Sequence, residues 1–130
     1  MTQKLTILLD LDGTIADTAP DLMAAHNHVM KKFGYETKSI NDIKNYVGHG
    51  AAVMIGKSIF GSARKEMSEI TDPKVKNEMI KEFLDFYAKN IVVKSKLIDG
   101  LYDFLKWAKL NNISLGVCTN KQEHLAVDFL

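Results

Sequence analysis

The apolar residues of this chain follow two different spacings. Leu5-Thr6-Ile7-Leu8-Leu9 and Ile113-Ser114-Leu115-Gly116-Val117-Cys118 are short, nearly continuous apolar runs, each stopped at once by polar residues. Such runs predict strands buried on both faces of a parallel sheet. Between them the spacing changes to three and four. Leu22, Ala25, Val29 and Phe33 share one helical face, Val75, Met79, Phe83 and Tyr87 another, and Leu101, Phe104, Leu105 and Ala108 a third.

Punctuation residues set the predicted ends. Thr18, with Asp21 three residues on, predicts a helix start, and Gly34 its close. Ser39 with Asp42 predicts a second capped start. Gly48-His49-Gly50 breaks the chain before an apolar helix from about Ala51 to Phe60, which Gly61 stops. Asp72-Pro73 opens what should be the longest helix, and Asp99 can cap one running through about Leu110. Strand, helical block, linking helix and strand in that order predict an α/β fold. Residues 1–15 and 97–130 would form a partial doubly wound parallel core, from which an inserted all-helical cap, residues 16–96, projects. Two strands are few for an open sheet, and the closing Leu125-Ala126-Val127-Asp128-Phe129-Leu130 carries no stop signal, so a chain cut from a longer protein is expected.

Composition narrows the function classes. The chain is 46% hydrophobic and 25% charged with a net charge of +1, which is globular and offers no basic face for nucleic acid. Arg64 is its one arginine. The run up to Leu9 is too short for a signal-peptide core or a membrane span, which favours a cytoplasmic protein without a membrane partner. Cys118 is the sole cysteine, expected as a small buried hydrophobe.

Chemistry concentrates where the first strand breaks. Asp10-Leu11-Asp12-Gly13-Thr14 sets two carboxylates two residues apart, so both can face one crevice beyond the strand's carboxyl end. Oxygen-only ligands suit Mg²⁺, and a metal-shielded phosphate would admit an anionic nucleophile. An ordinary Asp-Gly turn after a strand has the same short string.

The longer stretch Asp10-Leu11-Asp12-Gly13-Thr14-Ile15-Ala16-Asp17 resembles the first signature of the haloacid dehalogenase superfamily, and Thr119-Asn120 falls where its second signature stands. A helical cap between the two motifs is itself a family feature, so the resemblance spans the chain. It implies that Asp10 is the nucleophile, and that Asp12 protonates the leaving alcohol and then activates the water that cleaves the aspartyl phosphate. It implies further that the Asp10 carboxylate and the Asp12 carbonyl hold Mg²⁺. The Thr119 hydroxyl and the Asn120 amide would grip the phosphoryl oxygens, and Gly13 joins the substrate-binding set. Asp12 argues against the dehalogenase branch, which has no alkoxide to protonate.

Asp17-Thr18-Ala19-Pro20-Asp21-Leu22 with Val47-Gly48-His49-Gly50-Ala51 is most similar to the phosphoglycolate phosphatase branch. Sugar-phosphate phosphatases, pyrophosphatases and a phosphomutase share much of the pattern. The implied substrate is a small, carboxylate-bearing phosphomonoester. His49 and Gly50 are its candidate contacts, beside the plain reading that the two glycines let the chain turn. The family's later lysine and acid pair are absent from these residues. Lys121 lies too close to the second motif to serve and is expected as a solvated helix-start charge. A catalytically inactive fragment or binding module is the alternative. His26 and His28, two apart on one helix, are expected at the surface, as is His124. Met23, Met30, Met54 and Met79 are expected in packing, and Trp107 over the sheet.

Overall fold

The computed structural model describes residues 3–60 and 73–130, so Gly61, Arg64 and the Asp72 cap lie outside the described residues. The elements in order are β1 (Thr6–Leu9), β2 (Ala16–Asp17), α1 (Ala19–Phe33), α2 (Ile40–Lys44), α3 (Ala51–Phe60), α4 (Pro73–Lys89), β3 (Lys96–Leu97), α5 (Leu101–Leu110), β4 (Ser114–Val117) and α6 (Glu123–Phe129). β1 and β4 pair in parallel, with Thr6 opposite Ser114 and Leu9 opposite Val117. Two apolar runs joined through helices have that parallel arrangement open to them, and the expected core pairing is present.

The cap is built on α1 and α4. Val29 and Met30 from α1 meet Met79, Phe83 and Tyr87 from α4, with Ile43, Met54 and Ile55 closing the cluster. Burying each of these side chains stabilises the fold by about 1.5–3 kcal/mol, which is why the four-residue stripe along α4 forms a helix face. Ser39 caps α2 in a reciprocal box with Asp42, and Gly34 closes α1 at φ 79°, both as the sequence leads one to expect. A second, smaller cluster of Leu11, Ile15 and Ala126 lies in the core. α6 belongs to both, since Leu125 packs into the cap cluster and Ala126 into the core cluster.

Several local expectations are corrected. The stretch expected to be wholly helical has a strand at each end: Ala16 pairs with Leu97 and Asp17 with Lys96, antiparallel, where the chain leaves and re-enters the core. Sequence periodicity cannot register a two-residue ribbon. The strands are not buried on both faces, with Leu8 66% and Val117 42% exposed, and Cys118 is exposed as well. Among the described residues this sheet has two strands, each paired on one side only. Gly100, at φ 85°, occupies the α5 cap position in place of Asp99. Trp107 is half exposed instead of covering the sheet.

Thr18 precedes α1 without a side-chain capping bond, because its hydroxyl is used elsewhere. Asp21 is no capping partner either. It is buried, and its carboxylate accepts the amides of Val93, Lys94 and Ser95 and the Ser95 hydroxyl, at 2.7–3.0 Å. Asp21 thereby pins the start of α1 to the turn that precedes β3. His26, expected at the surface, is fully buried, with Nδ1 against Asn27 Oδ1 at 2.9 Å and Nε2 against Ser58 Oγ at 2.5 Å. Burial lowers its pKa, against the opposing Asn27 bond. His28 packs flat on Phe86 with centroids 4.3 Å apart and meets Glu82, while His124 is exposed as expected.

Candidate active site

The first motif is a tight loop. The Leu11 carbonyl accepts the amides of Thr14, Ile15 and Ala16, and the Gly13 amide closes on the Ala16 carbonyl at 2.7 Å. Gly13 stands at φ 80°, a conformation that costs a side-chain-bearing residue about 1–2 kcal/mol. Leu11 is fully buried between an exposed Asp10 and a part-buried Asp12. Burial of that one leucine sets the two carboxylates outward from the strand end. One Asp10 oxygen accepts the Leu11 amide at 2.8 Å. Because β1 and β4 are parallel and in register, and the Cys118 amide bonds the Leu9 carbonyl at 2.8 Å, Asp10 and Thr119 leave the same end of the sheet.

A cavity of about 270 Å³ lies between that end and the cap. Asp12, Asn120 and Lys121 line it from the core, and Gly48, His49, Gly50, Ile80, Phe83 and Tyr87 from the cap. Of the residues singled out in the sequence, Asp12, His49, Gly50 and Asn120 therefore share one chamber. Asp10, Gly13 and Thr119 do not line it. The Asn120 side chain donates to the Gly48 carbonyl at 2.8 Å, a bond from core to cap. Thr119 Oγ1 accepts the Lys121 amide at 3.1 Å. His49 is exposed, with Nδ1 3.3 Å from the Val47 carbonyl.

Lys121 overturns its expected role as a solvated charge. Its side chain is 4% exposed, and Nζ lies 3.0 Å from Asp12 Oδ1. Nζ also donates to the Tyr87 hydroxyl at 2.7 Å and sits 4.4 Å over that ring. Asp12 Oδ1 accepts the Thr18 hydroxyl as well, at 2.7 Å. Burial, followed by the charges of Asp12 and Asp21, raises the Tyr87 pKa, so the phenol stays protonated. Sequence reasoning gave neither Lys121, weighed as a solvated charge, nor Tyr87, placed in packing, a part in the site. A signal existed: Tyr87 ends the α4 stripe, and a buried tyrosine hydroxyl needs a polar partner.

The sequence model of the family described as haloacid dehalogenase-like hydrolase matches residues 7–130. The chain belongs to that family. A phosphoglycolate phosphatase of Agrobacterium fabrum is 36% identical over 124 residues, covering 95% of this chain and 51% of that protein. Phosphoglycolate phosphatase 1 of Pseudomonas aeruginosa is 30% identical, over 95% of this chain and 44% of its own length. The crystal structure of a predicted phosphoglycolate phosphatase from Haemophilus somnus superposes with a TM-score of 0.79 at 26% identity, across 99% of this chain and 59% of that one. This haloacid dehalogenase-like chain thus spans about half the length of the curated relatives it matches. No helix among its described residues is long and apolar enough to cross a membrane.

Proposed function

We propose that the chain carries the nucleophile and the acid–base residue of a Mg²⁺-dependent phosphomonoesterase whose substrate is a small carboxylate-bearing ester, with 2-phosphoglycolate the best single choice. One observation carries this reading. Asp10 and Thr119 leave paired parallel strands at the same end, beside an Asp12 carboxylate held at the mouth of a chamber between core and cap. In the first step an Asp10 oxygen attacks phosphorus and the bond to the leaving oxygen breaks, while Asp12 delivers its proton to that oxygen. In the second, Asp12 takes a proton from water, whose oxygen attacks phosphorus. The bond to Asp10 breaks and inorganic phosphate departs.

The donors present suit a hard cation. The Asp10 carboxylate is exposed, and the Asp12 carbonyl takes part in none of the hydrogen bonds that close the loop. Mg²⁺ is commonly held by one or two protein oxygens with water and phosphate completing the set. When bound, the ion supplies charge neutralisation at the phosphoryl oxygens. Thr119 and Asn120 hold the phosphoryl group. His49, Gly50 and the unpaired amides at the start of α3 face the same chamber from the cap and receive the carboxylate.

A panel of phosphate monoesters assayed with the full-length protein tests the proposal. Wild type hydrolyses 2-phosphoglycolate with Mg²⁺. Asp10→Asn, nearly the same shape but a far poorer nucleophile, folds and loses turnover. Retention of more than a small fraction of activity by that variant moves the nucleophile elsewhere, and a folded wild type inert to every ester leaves a binding module.

A further inference from the structure

We infer that Lys121 is a positioning residue for the Asp12 proton transfer, and that Tyr87 of the cap holds Lys121 in place. The inference rests on the proposed acid role of Asp12. Its basis is the choice of oxygen: Thr18 Oγ1 donates to Asp12 Oδ1 at 2.7 Å and Lys121 Nζ forms its ion pair with that same oxygen at 3.0 Å. An oxygen that already accepts from a hydroxyl and faces an ammonium has little room for a proton. The proton is therefore carried on Oδ2, and the plane of the carboxylate is fixed by the hydroxyl and the ammonium at the other oxygen. A general acid works only when its proton lies within hydrogen-bond reach of the leaving oxygen.

Lys121 itself is not free to wander. Its side chain is 4% exposed, its ammonium donates to the Tyr87 hydroxyl at 2.7 Å, and the Tyr87 ring centroid lies 4.4 Å from the charge. Tyr87 belongs to α4, so a cap residue supports a core residue that in turn supports Asp12. Nζ thus donates to the cap tyrosine and pairs with the core carboxylate.

The reaction separates positioning from mere structure, because kcat/KM reports steps only up to departure of the leaving group. 2-Phosphoglycolate expels an alkoxide that must be protonated, whereas p-nitrophenyl phosphate expels a phenolate that leaves without a proton. In the full-length protein, Lys121→Met is expected to lower kcat/KM on 2-phosphoglycolate about a hundredfold and on p-nitrophenyl phosphate less than about threefold, in keeping with the usual contribution of general acids. Tyr87→Phe keeps the ring and removes the hydroxyl bond, and gives the same selectivity at roughly severalfold on the alkyl ester. Circular dichroism establishes that each variant is folded. If Lys121→Met does not fold, Tyr87→Phe is judged by the same comparison. Equal losses on both esters, or no loss on either, overturn the role of Lys121 and leave the phosphatase reading intact. A folded wild type inert to both esters brings down that reading and this inference together.

Discussion

Asp21 offers a test of how the cap is fastened to the core. Its buried carboxylate takes three backbone amides and one hydroxyl from Val93 to Ser95, and no other acid among the described residues is held in this way. Hydrogen bonds to a charged group contribute about 1.5–3 kcal/mol each, but bonds that share one acceptor do not add. Asp21→Ala strips every acceptor and should cost about 3–5 kcal/mol, a large part of the roughly 5–15 kcal/mol that holds a domain together. Asp21→Asn can keep an oxygen at the Oδ2 position, which takes most of the donors, and loses the charge and the Oδ1 bond from Lys94. About 2–3 kcal/mol is expected there. The sign with pH follows from the carboxylate's own equilibrium. Burial works to raise its pKa, the hydrogen bonds from Ser95, Val93 and Lys94 outweigh it, and the net value falls below the ordinary 3.8. The stabilisation is thus fully present above that ordinary value and is lost as pH falls through the lower folded one. Urea denaturation of wild type and both variants, at pH 7 and in steps down to pH 3, measures it. A cost under about 1 kcal/mol for Asp21→Ala at pH 7, or a gap between wild type and Asp21→Asn that widens on acidification, would refute the clamp.

Gly50 stands at φ 86° with open space where a Cβ would go. Gly50→Val should therefore cost about 1–3 kcal/mol through backbone strain alone and shift selectivity away from 2-phosphoglycolate towards neutral sugar phosphates in an ester screen. Unchanged selectivity would take this loop out of substrate recognition. Glu82, bonded by His28 and then by Lys32, has its pKa held down to about 2, so a carboxyl-carbon NMR titration should find its midpoint there and Lys32→Ala should raise it. A midpoint at the ordinary 4.5 in wild type would contradict both contacts.

The local order of this protein was legible in its sequence wherever one strong cause acts over neighbouring residues. The α4 stripe ending at Tyr87, the Ser39 and Asp42 box and the Gly34 stop each depend on residues within a few positions, and all appear where expected. So did the parallel pairing of the two apolar runs, because strands joined through a helix call for a parallel crossover. What only the tertiary structure decided was the partner of each polar side chain. Thr18, Asp21, His26 and Lys121 look locally like a cap, a capping partner, a surface histidine and a solvated lysine. Each instead found a partner that folding brought near: Asp12, the turn from Val93 to Ser95, Ser58 and the pair of Asp12 with Tyr87. A buried polar group must bond to whatever the fold sets beside it, and sequence spacing carries no record of neighbours 32, 34 or 74 positions away.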